Sequence, residues 1–286
     1  MRGGHIVTAK GAKSAAIFLF WDWCLIGSVF AILLLFPHVI TFLVAIPILA
    51  SRQHALAVLM HEAYHGNLGS DKMRSTFLGR WFCAFPLAIS FDASREYHLL
   101  HHKHLNTSLD VYWIATKNRS DWVFPMRPMW FLKISILDWL GANFRSLTGF
   151  EALYVAKDFR RPWQGWAFRL GFYIVIFVLA YVVTADGVES LWATALWFVA
   201  KYTGLVWLNR LRNISEHFGS TKTDTRNVVA GFFEAFFFIP HDSGLHALHH
   251  QFPSLPLADL NETEAPIHNR GFFSSAGVIR SVLRGA

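Results

Sequence analysis

Apolar residues run almost unbroken through the early part of this chain. Ala15 to Phe36 is nearly all apolar, Pro37-His38 interrupts it, and Val39 to Ala50 resumes. Roughly 20 consecutive apolar residues suffice to cross a bilayer as a helix. The pair therefore predicts a helical hairpin with a very short turn. Its second helix is predicted to run on past Arg52-Gln53-His54 through Ala55 to Met60. A second hairpin is predicted from Phe168 to Thr184 and from Leu191 to Leu208, joined by Ala185-Asp186-Gly187-Val188-Glu189-Ser190. Thr76 to Phe91 is apolar but short and contains Arg80 and Pro86, so an interfacial or re-entrant segment is expected. Val228 to Ile239 is likewise too short to span and reads as interfacial. From Trp130 to Phe144, apolar residues at helical spacing surround Lys133 and Asp138, predicting an amphipathic helix on the membrane. Asp22 interrupts the first run between Trp21 and Trp23, a setting that predicts an interfacial side chain.

Composition sharpens this picture. The chain is 53% hydrophobic and only 16% charged, with twelve tryptophans and twenty-seven phenylalanines. A water-soluble domain carries about a quarter charged residues. The expected fold class is an all-α integral membrane protein, with four transmembrane helices in two hairpins, at about 15–60 and 168–210. A histidine-rich helical cap with interfacial amphipathic helices is expected over 61–166 and 211–286, the whole 1–286 forming one domain. The net charge of +7 is spread along the chain without a basic motif. That argues against nucleic acid and for contact with anionic headgroups. Lysine and arginine are frequent in 92–166, which predicts that this region and both termini face the cytoplasm, with the acidic 185–190 turn outside. Arg2, Lys10 and Lys13 precede the first run and no small-residue cleavage site follows it, so a retained anchor is expected. Cys24 and Cys83 both sit in apolar runs and offer neither a disulfide framework nor a thiolate metal site.

The candidate chemistry is histidine. Three boxes stand out: His61-Glu62-Ala63-Tyr64-His65, His98-Leu99-Leu100-His101-His102 and His246-Ala247-Leu248-His249-His250. Positions i, i+3 and i+4 share a helix face, so each box aims two or three imidazoles at one point. The two predicted hairpins bring all three boxes to one side of the membrane. Asn213 and His217 follow directly on the last span and share a face in the same way. Imidazole suits iron, zinc, copper and nickel, and this many imidazoles overfill one ion. The simplest reading is two metals held by His61, His65, His98, His101, His102, His217, His246, His249 and His250, with Asn213 as a ligand or water-holder. Glu62, Glu96, Asp110, Glu216 and Asp242 lie close enough in sequence to orient ligating imidazoles. His104 and His241 flank boxes without belonging to them, and His5, His38, His54 and His268 have no supporting context. The first box also spells H-E-x-x-H, the signature of zinc proteases, in which Glu62 would be the general base. That reading leaves the other two boxes unexplained.

The boxes and their contexts resemble the membrane fatty acid desaturase and hydroxylase superfamily, closest to its acyl desaturase branch. The likeness rests on the three boxes, on the Asn213-x-x-x-His217 element, on Arg95-Glu96-Tyr97-His98, on Asn106-Thr107 with Asp110, and on His249-His250-Gln251-Phe252-Pro253-Ser254-Leu255-Pro256. It covers about residues 15–265. One departure is Asp110-Val111-Tyr112, where many members have Asp-Pro-Asp. The resemblance implies two iron ions, dioxygen and a lipid acyl substrate. It also implies electrons from a separate protein, a ferredoxin, rubredoxin or small haem protein with its reductase. The expected reaction is introduction of a carbon–carbon double bond into the acyl chain. The alternative within the superfamily is hydroxylation of a fatty acyl, sphingolipid or carotenoid-like substrate.

Overall fold

The computed structural model describes residues 9–105, 107–143, 162–217, 225–260, 269–271 and 274–284. Asn106, the predicted helix end at Phe144, the stretch 145–161, His5 and His268 lie outside the described residues. The first hairpin is α1 (Ala9–Leu35) and α2 (Val39–His65). The second is α7 (Pro162–Thr184) packed against α8 (Gly187–Tyr202), which continues past a break at Thr203 as α9 (Gly204–Glu216). Between the hairpins lie α3 (Lys72–Leu78), a π-helical stretch (Gly79–Ala84), α4 (Phe91–His104), α5 (Val111–Thr116) and α6 (Pro128–Trp139). After α9 come β1 (Val228–Ala230), α10 (Phe232–Phe237), α11 (His246–Gln251), β2 (Asn269–Gly271) and α12 (Ser274–Arg284). Four helices are long and apolar enough to cross a membrane: Ala15–Leu35, Val39–His65, Ala167–Thr184 and Gly187–Glu216. The protein is thus an all-α integral membrane fold, with one small parallel pairing of β1 and β2 beside it.

α2 is the hub of the bundle. Its first turns expose Val39, Ile40, Leu43 and Val44, whereas nearly every residue from Leu49 to Tyr64 is buried. Its end is set by Gly66, which adopts φ 88 and donates its N–H to the Ala63 carbonyl. Glycine takes that left-handed conformation without steric cost, so the helix stops directly after His65. Trp197 of α8 joins the hairpins: its ring packs on Trp23 and Phe30 of α1 and on Phe172 of α7. Its indole N–H donates to the Pro86 carbonyl at 2.9 Å. The outer faces of α1 and α7 expose apolar residues such as Phe20, Ile32, Ile174 and Val182, as a surface bathed in lipid should.

Two apolar stretches divide further, and one expectation changes. Thr76–Phe91 is not one segment: α3 and the π-helical stretch pack along α2, and a turn then leads into α4. Val228–Ile239 divides into β1 and α10, because Val228 to Ala230 pairs with β2. Asp22 is not interfacial in its contacts. It is buried at 1% exposure and paired with Arg52 at 2.8 Å.

The helix predicted around Trp130 forms, but its polar residues point in opposite directions. Lys133 is exposed over the Trp130 ring, while Asp138 is fully buried. Asp138 accepts from Arg210 Nε of α9 at 2.6 Å and from its Nη2 at 3.1 Å. Arg210 also reaches the Asp121 carboxylate at 3.1 Å. The outward stripe of α6 is Met129, Leu132, Ile136 and Leu140. Asp138→Ala takes away the buried carboxylate that Arg210 Nε donates to and leaves the guanidinium only Asp121, part of the about 3–5 kcal/mol that breaking a buried pair outright costs. The expected result is a marked fall in thermal midpoint in detergent. Asp138→Ala combined with Arg210→Met should recover most of it, because no charge is then left unpaired.

Candidate metal centre

Four helix ends meet at one end of the bundle. α2 ends on His61 and His65, and α9 ends on Glu216 with His217 as its cap. α4 begins where Ser90 accepts the Ala93 N–H at 3.2 Å, and carries His98, His101 and His102 in its last turns. Arg95 Nε donates to the Tyr64 carbonyl at 2.7 Å and lays α4 across the end of α2. α11 brings His246, His249 and His250, braced by Asn227 Oδ1, which accepts the Leu248 N–H at 3.1 Å.

The nine histidines fall into two groups. His61, His65, His98, His102 and His249 form the first, their donor atoms all within 4.8 Å of one another. His65 and His98 approach Nε2 to Nε2 at 2.9 Å, and His249 and His102 at 3.3 Å. The second group surrounds His217, with His101 and His250 on one side and Glu216 and His246 on the other. His246 Nε2 lies 2.8 Å from His217 Nε2 and 3.0 Å from His250 Nε2. Metal–imidazole bonds of about 2.1 Å set opposite ligands about 4.2 Å apart, so the first group, and each of the two sets that share His217, has dimensions near those of one ion's ligand shell.

The electrostatics favour a cation. Burial, reinforced by neighbouring imidazoles, pushes His98, His217, His246 and His249 well below the usual histidine range. His250 is lowered for the same reasons, and burial pushes His102 down to about 3. These rings are therefore neutral at pH 7, the form that binds metal. Neutral imidazoles whose nitrogens converge to 3 Å repel through their lone pairs unless a proton or a cation lies between them. His101 shows the pattern most plainly. Its Nδ1 faces Asp110 at 2.9 Å, which fixes the tautomer, and its buried Nε2 has no hydrogen-bond partner among the described residues. Both nitrogens of His61 are likewise buried without a hydrogen bond. An imidazole-rich donor set with orphaned nitrogens fits a transition metal and not magnesium or calcium.

Among the carboxylates, Asp110 holds His101, and Glu216 lies 3.6 Å from His246 Nδ1 while pairing with Arg212 at 2.8 Å. Glu62 is buried and accepts the Leu257 N–H at 2.9 Å, so it fastens the segment after the third box. That use, together with five imidazoles around the first position, does not suit the general base of a zinc protease. Glu96 and Asp242 are exposed. Asn213 sits one turn before His217 and donates its amide nitrogen to the Asn209 carbonyl at 2.8 Å. Neither group includes His104, His241, His38 or His54.

Two contributors were not evident in the sequence. Tyr112 stacks face to face on His101, with centroids 4.0 Å apart, and its hydroxyl lies 3.4 Å from His98 Nδ1. Its one signal was the departure at Asp110-Val111-Tyr112. Asn67 donates to the Pro253 carbonyl at 3.2 Å and to the Leu255 carbonyl at 3.1 Å, tying the run after the third box to the end of α2. Nothing local announces a contact between residues so far apart in the chain.

Among curated proteins none matches this chain. The fatty acid desaturase family matches residues 34–271. That range takes in most of the chain, all three boxes and His217, and on this evidence the chain belongs to the fatty acid desaturase family.

Proposed function

We propose that this protein is an oxygen-dependent di-iron desaturase that introduces a carbon–carbon double bond into a lipid acyl chain. The observation that carries the reading is the gathering of nine imidazoles, five buried and four half-buried, into one five-histidine cluster and two smaller clusters that share His217, at one end of a four-helix membrane bundle. In this reading His61, His65, His98, His102 and His249 hold one iron. His101, His217, His246 and His250, with Asn213 directly or through water, hold the other. Bound iron supplies the activation of dioxygen that an unactivated methylene requires. The chain's own residues do the rest. Burial keeps the imidazoles neutral, Asp110 orients His101, and Tyr112 covers its ring. A methylene offers no polar handle, so apolar packing has to position the acyl chain. The groups sit at the ends of α2 and α9, the helices that carry His61, His65 and His217. Electrons come from a separate ferredoxin, rubredoxin or small haem protein.

The direct test feeds isotope-labelled saturated acyl substrate and reads the lipids by mass spectrometry. Loss of two hydrogens is the expected result. Gain of one oxygen atom from dioxygen would make the enzyme a hydroxylase, and neither change would overturn both readings.

The Lys/Arg-rich stretch 92–166 and the acidic 185–190 turn favour a cytoplasmic histidine face. An impermeant thiol reagent applied from outside should label Gly187→Cys and miss Ser120→Cys. The reverse pattern would place the metal centre on the other face.

A further inference from the structure

Asp22 is a carboxylate within an apolar membrane helix, and the metal centre makes no direct use of it. An ionisable group inside a span is expensive, and by default it marks a function and has a partner. Each oxygen of Asp22 holds a different element. Oδ1 accepts from Arg52 Nη1 of α2 at 2.8 Å, and Oδ2 lies 2.7 Å from His241 Nε2. One turn earlier on α1, Phe18 stacks on the same imidazole, with ring centroids 4.5 Å apart. Arg52 also donates to Ser51 Oγ and to the Phe236 carbonyl, and Ser51 Oγ donates to that carbonyl at 2.7 Å. The membrane hairpin thus grips the segment 236–241 at both ends.

That segment leads straight into the third box. His241 and Asp242 both adopt φ 58, the left-handed region that few residues other than glycine occupy, Asp and His more readily than most. The following links are braced one by one. The Ser243 N–H donates to the Pro240 carbonyl at 3.2 Å, and the Leu245 N–H donates to the Asp242 carbonyl at 3.2 Å. The Val228 N–H donates to the Gly244 carbonyl at 2.8 Å. A Cβ on Gly244 would collide with the Val228 carbonyl, so only glycine fits. α11 then starts at His246. A displacement of His241 has little slack to absorb it before His246.

We propose that Asp22 is a positioning residue for the metal centre, fixing the third histidine box from inside α1 through His241. The inference rests on the two-metal reading above. Its effect is unequal, because the third box gives His246 and His250 to the group around His217 and only His249 to the other.

The test uses the full chain in detergent, loaded anaerobically with ferrous iron, and two variants. Asp22→Asn removes the charge. His241→Gly suits the left-handed backbone and removes only the side-chain contact. Iron per chain, the rate of iron release to a chelator and the Mössbauer spectrum are read, with circular dichroism as the check of folding. Asp22→Asn and His241→Gly should release one iron about 10- to 100-fold faster than wild type, in line with the loss of outer contacts at other metal sites. One of the two Mössbauer signals should fade first. Should Asp22→Asn not fold, His241→Gly alone decides. Release at the wild-type rate, or parallel loss of both irons, would overturn the inference. A wild-type chain that never holds two metals would instead overturn the two-metal reading.

Discussion

Replacing His217 with alanine is expected to abolish turnover and to halve the iron bound per chain. His217 is the donor common to His101 and His250 on one side and Glu216 and His246 on the other. Its removal takes the middle out of the second group and leaves the five imidazoles of the first in place. Asn213→Ala should be milder. Its amide oxygen is a weaker donor than an imidazole, and its amide nitrogen is already given to the Asn209 carbonyl. Some metal should therefore remain, with reduced turnover. Elemental analysis of anaerobically purified protein, alongside oxygen consumption with a reductant, checks both. Wild-type activity in His217→Ala would make this element structural, and one tight zinc without iron-dependent turnover would end the di-iron reading.

The metal-free protein should lose stability steeply as the pH falls below about 6.5, the pKa of an unperturbed histidine. The sign follows from proton uptake. His98, His102, His217, His246, His249 and His250 all have lowered pKa values in the folded state, chiefly through burial. Below 6.5 the unfolded chain takes up protons that the folded chain refuses, so acid favours unfolding. Above that pH both states are neutral at these rings and the effect is absent. Each such proton contributes about 1.4 kcal/mol per pH unit, and several act together. For His102 the window closes as the pH reaches about 3. Thermal midpoints from pH 8 to pH 5, with and without bound metal, measure this. Metal should raise the midpoint at each pH, because the converging imidazoles of the folded state bind it more tightly than the unfolded chain does. A flat midpoint in the metal-free protein would mean that these rings are not buried as neutral imidazoles.

The two hairpins and the histidine boxes were legible because each is a local pattern. Apolar length alone marks α1, α2, α7 and α8, and the spacing of His98, His101 and His102 needs only the period of a helix. Asn213 and His217 were legible for the same reason, and only beside the boxes. Asp22 was misread because its neighbours Trp21 and Trp23 suggest an interface, whereas its partners Arg52 and His241 come from distant parts of the chain. Asp138 looked like the polar side of a surface helix, and its partner Arg210 on α9 was invisible from there. Val228–Ala230 became a strand because it pairs with residues 269–271, a contact that periodicity in so short a run cannot announce.

The sequence by itself determined that this is a helical membrane protein, that its histidines belong together on one side, and which side chains are candidates for metal. Those properties follow from hydropathy and helical period, which act over a few turns. Tertiary structure decided how the histidines divide: His102 joins His65 and His249, while its neighbour His101 turns to His217 and His250. It also decided that Asp110 supports a box, and that a carboxylate inside α1 reaches the loop before the third box. Adjacent residues on a helix point about 100° apart. Which neighbour each one meets is therefore set by helices packing across the bundle, and that information resides in no single stretch of the chain.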